Sequence, residues 1–174
     1  MVFTITVPQE FPLVLICVAF ICFECFMVGL VLVGKARGKH FNKDFMAQFD
    51  KEHEEAFPGQ KAPVGGHPDA GDGRYSEKLP YKSWIEFNNA WRAHQNFVEQ
   101  LPLILVYLLV GGYVLPRFAV VVGVLNVIGR FIFVVSYAFK GSNARMIGGI
   151  MSNLPLYILG LSTFVQLIRL TIRA

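Results

Sequence analysis

Apolar residues along this chain gather into four long runs, with neither the alternation of a half-buried strand nor the one-sided stripe of a soluble amphipathic helix. The first extends from Phe11 to Gly34 and is interrupted by one charge, Glu24. The second follows a polar segment ending near Asn96 and goes from Phe97 through Leu115; the third covers Phe118 to Phe139 and the fourth Met146 to Ile168. Each is about as long as the roughly 20 helical residues that cross a hydrocarbon core. The pattern predicts an all-α fold, an integral membrane four-helix bundle in a single domain, with transmembrane helices near 11–34, 84–115, 117–139 and 146–168. Leu115-Pro116-Arg117 and the polar stretch Lys140 to Arg145 read as tight turns. No basic segment precedes the first run and no small-residue cleavage site follows it, so it is read as a spanning helix rather than a removable signal.

Between the first two spans lies a polar loop, 35–83. Asp50 to Glu55 is charged, and Pro58 to Gly73 is dominated by Gly, Pro and Ala, a length and composition that predict partial disorder, with a loop held by contacts as the alternative. Composition otherwise strengthens the membrane reading: 54% hydrophobic residues exceed the roughly 45–50% of a soluble domain. Charge adds an orientation. Lys35, Arg37, Lys39, Lys43, Lys82, Arg92, Lys140 and Arg145 flank one side of the spans, against Arg117, Arg169 and Arg173 on the other. Basic residues favour the cytoplasmic side, which puts the long loop in the cytoplasm and both termini opposite. The net charge of +4 is therefore a topology signal, and no basic stripe interleaved with aromatics points to nucleic acid. Cys17, Cys22 and Cys25 read as packing residues of the first span, since Cys22 and Cys25 lack the strand-and-helix setting of a redox pair. The four histidines show no metal-ligand spacing, so no metal is expected. Ala119, Gly123 and Gly129 predict close helix contact, and Pro102 and Pro155 kinks in the second and fourth spans.

Polar residues inside apolar spans are costly and face a partner helix or a cavity. Arg92, Asn96 and Glu99 stand at i, i+4 and i+7 at the head of the second span, on one helical face. Arg130, Phe133 and Tyr137 fall at i, i+3 and i+7 on the third, again on one face, and Arg145 lies just beyond. Together they make a basic pocket with one carboxylate, suited to a small ligand with both a carboxylate and an ammonium group. An interhelical Arg–Glu clasp with no ligand would satisfy the same residues. Glu24 and Arg130 fall at equal depth, which predicts a buried pair between the first and third spans.

These residues carry a resemblance. Lys35-Ala36-Arg37, Arg92-Ala93-His94-Gln95-Asn96 with Glu99, Pro102, Val110-Gly111-Gly112 before Pro116-Arg117, and Gly129-Arg130 with Tyr137 and Arg145 are similar to the membrane-associated proteins in eicosanoid and glutathione metabolism, the MAPEG family, and within it to the microsomal glutathione transferases of the third type. The resemblance covers nearly all of the chain except the long loop. It implies a homotrimer in the endoplasmic reticulum membrane, or alternatively a mitochondrial one, with glutathione held between subunits as substrate. Arg37, Arg92, His94, Asn96, Glu99, Arg130 and Tyr137 would bind the peptide, and Arg145 would be the catalytic cation beside its sulfur. A lipophilic electrophile or lipid hydroperoxide would arrive from the bilayer as second substrate, for a transferase or peroxidase reaction. Phe133 and Gln100 stand where many relatives carry tyrosine, and the loop is longer than usual. These departures fit the alternative that the resemblance also implies, a non-catalytic lipid-binding scaffold or a subunit of a larger membrane complex.

Overall fold

The computed structural model describes residues 6–173; residues 1–5 and Ala174, and with them the placement expected for the chain ends, lie outside the described residues. The helices are α1 (Phe11–His40), α2 (Lys43–Met46), α3 (Asp50–Ala56), α4 (Tyr81–Val114), α5 (Pro116–Lys140) and α6 (Met146–Arg173). No strand occurs among the described residues. The helices α1, α4, α5 and α6 are each long and apolar enough to cross a membrane, giving the expected all-α membrane bundle. Helices satisfy every interior backbone group within the segment, which is what a solvent without hydrogen bonds requires.

Two of these helices outrun their apolar stretches. Starting at Tyr81, α4 precedes Phe97 by about 24 Å of helix, so its first turns stand clear of the hydrocarbon and carry polar side chains. Similarly, α1 continues through Lys35 and Lys39 to His40. At the opposite end Leu115 leaves the helix (φ −134°, ψ 60°), and Pro116 starts α5 where its missing N–H is not needed. Gly141, at φ +87°, ends α5 in a conformation costly for other residues, its N–H donating to the Tyr137 carbonyl at 3.0 Å.

Small residues set the closeness of the bundle. A Cβ on Gly148 would lie 2.3 Å from the Phe133 backbone nitrogen, and one on Gly129 would lie 2.7 Å from that of Ser152, so α5 and α6 touch backbone to backbone. Ala119 is fully buried, and a Cβ on Gly123 would meet Cys17 at 2.8 Å. Val14, Ile21, Phe97, Ile104, Leu108, Val122, Leu156 and Leu159 fill the core, whereas Phe20, Phe23, Phe26, Phe131 and Phe164 point outward. Such inversion of large apolar side chains is what a lipid-facing surface needs. Over Val28–Val33 α1 widens into a π turn, with the Gly34 N–H reaching back to the Gly29 carbonyl.

The long loop is folded, which corrects the disorder that its Gly, Pro and Ala content predicts. Phe41, Met46, Phe49, Ala62, Leu79 and Phe87 make a second small core at the end of the bundle. The Phe41 and Phe87 rings meet edge to face at 4.9 Å, and Phe49 meets Tyr75 at 4.8 Å. Asn42 caps α2 by accepting the Phe45 N–H at 3.0 Å. Asp69 closes the segment, its carboxylate accepting the N–H groups of Gly71 (2.7 Å), Gly73 (3.2 Å) and Ser76 (2.7 Å). Burial pushes the Asp69 carboxyl up, but those donors together outweigh it and hold the group below the usual aspartate range. Gly71 sits at φ +104° with its α-carbon against Asn88, where no side chain fits. The glycines here serve specific turns and close approaches, and the aromatic residues at both ends of the loop supply the core that they wrap.

Candidate functional site

Arg130 is the most deeply placed charge, fully buried at the centre of the bundle. Its Nη1 donates to Asn96 Oδ1 on α4 at 3.0 Å, and its Nη2 donates to Asn153 Oδ1 on α6 at 2.8 Å. The guanidinium also lies 5.4 Å from the Phe97 ring centroid and 5.6 Å from that of Phe133, within cation–π range. One level away, the Asn126 amide donates to the Ser152 carbonyl at 3.1 Å. The side chains that bring α4, α5 and α6 together at this depth are thus polar and joined by hydrogen bonds, with Asn126 Oδ1 left without a protein partner.

The expected Glu24–Arg130 pair does not form. Both Glu24 oxygens are buried without a protein hydrogen-bond partner, as is Arg130 Nε. The two asparagines occupy the terminal nitrogens that an ion pair would use, which is the physical reason for the correction. Asn153 escaped the sequence reading, although a carboxamide in an apolar run, two residues before Pro155, was a signal of the same kind as Asn96.

From this centre the cluster opens toward the loop side of the bundle. Phe133 and Tyr137 meet edge to face at 5.8 Å, and the Arg145 guanidinium lies 5.0 Å from the Tyr137 ring. Phe133, Arg145, Gly149, Asn153 and Tyr157 contribute to a lateral groove of about 370 Å³ between α5 and α6. Its mouth is cationic, its walls are apolar and aromatic, and Asn153 joins it to the buried Arg130. The Arg145 guanidinium is exposed and donates to no protein acceptor among the described residues.

The remaining expected residues are distributed differently. Arg92 and Glu99 are exposed on the outer face of α4, flanking the half-buried Asn96. His94 packs into α1: a Cβ on Gly29 would sit 2.8 Å from His94 Nε2. Arg37 is buried beneath the loop, with Nη1 donating to the Gly65 carbonyl (3.1 Å) and Nη2 to the Asp69 carbonyl (2.6 Å), and its guanidinium 5.2 Å from both Phe87 and Trp91. Within one chain the geometry therefore gathers Asn96, Arg130, Tyr137 and Arg145, ties Arg37 to the loop and His94 to α1, and leaves Arg92 and Glu99 facing outward.

A model of the MAPEG family matches residues 13–165, which includes every one of these positions. The chain belongs to the MAPEG family. MAPEG proteins are membrane four-helix bundles that use glutathione, and they include glutathione transferases and peroxidases as well as non-catalytic members. Membership accords with the four spans and gives the polar centre a family-level context in glutathione and eicosanoid metabolism. Among the described residues no group of His, Cys, Asp and Glu is arranged to hold a metal ion.

Proposed function

We propose that this MAPEG protein is a membrane-bound glutathione transferase or glutathione peroxidase of the third microsomal type, working as a homotrimer in the endoplasmic reticulum membrane. The observation that carries the reading is Arg145, an unengaged guanidinium beside Tyr137 at the mouth of the α5–α6 groove. A free thiol with pKa about 8.5 is mostly protonated at neutral pH, and only the thiolate is a strong nucleophile. A guanidinium beside the sulfur favours the charged form. Arginine stays protonated, so the thiol proton leaves to water. The thiolate then attacks an electrophilic carbon and expels its leaving group, or attacks the peroxide O–O bond to give an alcohol and a sulfenic acid. A second glutathione condenses with that sulfenic acid to the disulfide and water. The apolar groove wall admits the lipophilic partner from the bilayer. Arg92, Asn96 and Glu99 hold the charged ends of the peptide, with the outward-facing Arg92 and Glu99 completed by the neighbouring subunit.

The test is glutathione binding to the purified protein, followed by the ultraviolet thiolate absorbance of the bound peptide. A depression of about two pKa units, worth roughly 2.7 kcal/mol, makes the wild-type peptide mostly thiolate at pH 7. Arg145→Ala should lower the thiolate fraction about twenty-fold while binding persists. Binding with no thiolate in the wild type would reduce the pocket to a vestigial one, and absence of binding would favour a scaffold or a structural subunit.

A further inference from the structure

A second groove, about 410 Å³, lies on the loop side where α1 and α5 end and α4 begins. Its walls change character along their length. Leu32, Ala138 and the 76% exposed Phe139 form an apolar part, and Lys35, Lys39 and His40 form a basic part. Leu32 lies just before the first cation of α1, and Phe139 just before Lys140 at the end of α5. The groove thus straddles the level where hydrocarbon gives way to headgroups, with Phe139 directed outward.

Its charge is not balanced. Glu86 is the one carboxylate in the lining, and it is engaged by Lys39, with His40 Nε2 3.4 Å away. That pair fixes Lys39 over the groove. Lys35, one helical turn earlier on the same face of α1, is exposed and has no hydrogen-bond or ion-pair partner among the described residues, and the same holds for Lys140, the residue after Phe139. One free ammonium group, that of Lys35, therefore lines a half-apolar cleft at the membrane interface, and a second, that of Lys140, follows the lining Phe139 directly in the chain. Ala36, Ala90 and Ala138, with their small side chains, leave room in it for a chain to lie.

We propose that this groove is a binding site for an anionic membrane phospholipid, with the phosphodiester against Lys35 and Lys140 and an acyl chain along Leu32 and Phe139. Basic recesses between spans at an interface attract anionic headgroups. A soluble phosphate would gain nothing from Phe139 and Leu32, so the apolar half selects a lipid. The site is separate from the α5–α6 groove, and neither it nor its test depends on the glutathione reading.

Purified protein in an uncharged detergent is titrated with phosphatidylglycerol, phosphatidylcholine or inorganic phosphate, and occupancy is read by native mass spectrometry alongside thermal unfolding. Phosphatidylglycerol is expected to remain bound and to raise the melting temperature, phosphatidylcholine to do so far less, and inorganic phosphate not at all. Lys35→Gln should weaken phosphatidylglycerol about fivefold and the Lys35→Gln, Lys140→Gln double variant about twenty-fold, with unfolding in lipid-free detergent unchanged because both side chains are exposed. Lys51→Gln, an exposed lysine of the loop, should leave the preference intact. Equal occupancy by the two lipids, an equal loss with Lys51→Gln, or a response to inorganic phosphate matching that to lipid would overturn the proposal.

Discussion

Arg130 keeps its charge in the middle of four apolar helices with two carboxamide oxygens as acceptors and two aromatic faces beside it. A buried guanidinium deprived of an acceptor cannot recruit bulk water, so the desolvation cost falls on the fold, about 1–3 kcal/mol for one lost partner and more where a charge is involved. Asn153→Leu is therefore expected to destabilise the protein by about 2 kcal/mol in detergent unfolding, whereas Asn153→Asp, which retains an acceptor, should recover most of it. Equal stability of Asn153→Leu and wild type would remove Arg130 from the list of groups that hold α5 to α6. Much of this centre was legible in the sequence, because Asn96 and Arg130 are conspicuous among apolar neighbours. The partner of Arg130 was not, since equal depth along two helices picks out Glu24 without saying which side each helix turns inward. Only the rotation of α1 and α6 about their axes decides between a carboxylate and a carboxamide.

At the scale of elements, two devices hold the parts together, backbone contact between spans and side-chain ties in the loop. Gly148 and Gly129 admit α6 against α5 so closely that an added methyl meets main-chain atoms, which unlike a side chain cannot swing aside. Gly148→Ala should thus cost about 1–3 kcal/mol, measured as a lowered melting temperature. Gly34→Ala, where nothing lies within 4 Å, should be neutral or stabilising by up to about 1 kcal/mol. The loop is tied through Arg37 and Asp69. Because the folded Asp69 carboxyl titrates below its unfolded value of about 3.9, its contribution is present above that pH and lost as pH falls through the lower folded value. Hydrogen exchange at Gly71, Gly73 and Ser76 should accordingly stay protected at pH 5 and lose protection, beyond the intrinsic change in rate, as pH falls through the depressed folded value; protection at pH 5 that survives Asp69→Ala would contradict the tie. The spans were readable from run length alone. The loop was not, because its composition resembles that of a flexible linker, whereas its order comes from the contacts of Phe41, Phe49, Tyr75 and Phe87, residues that lie more than thirty positions apart at the extremes.

At the scale of the whole molecule, a single chain leaves one acidic group in a position that lipid does not tolerate. Glu99 is exposed on α4, and about 24 Å of helix separates it from Leu115 at the far end, which places it inside a hydrocarbon core about 30 Å thick. A carboxylate facing lipid there costs up to about 3 kcal/mol, and covering the α4 face with another copy removes that cost. Val106, seven residues on and 55% exposed, shares the face of Glu99, whereas Phe20 of α1 is 58% exposed on a different helix. If α4 lines the contact between copies, Val106→Cys in a background with Cys17, Cys22 and Cys25 replaced should give disulfide-linked pairs on mild oxidation, and Phe20→Cys should not. Light scattering in detergent should give three chains per particle. Glu99→Leu should leave that assembly intact, because it removes the charge that needed cover, while weakening glutathione binding. A monomeric wild type, or cross-links from Phe20→Cys alone, would mean that α4 meets lipid, and the outward-facing Arg92 and Glu99 would then have no second wall against which to hold a peptide.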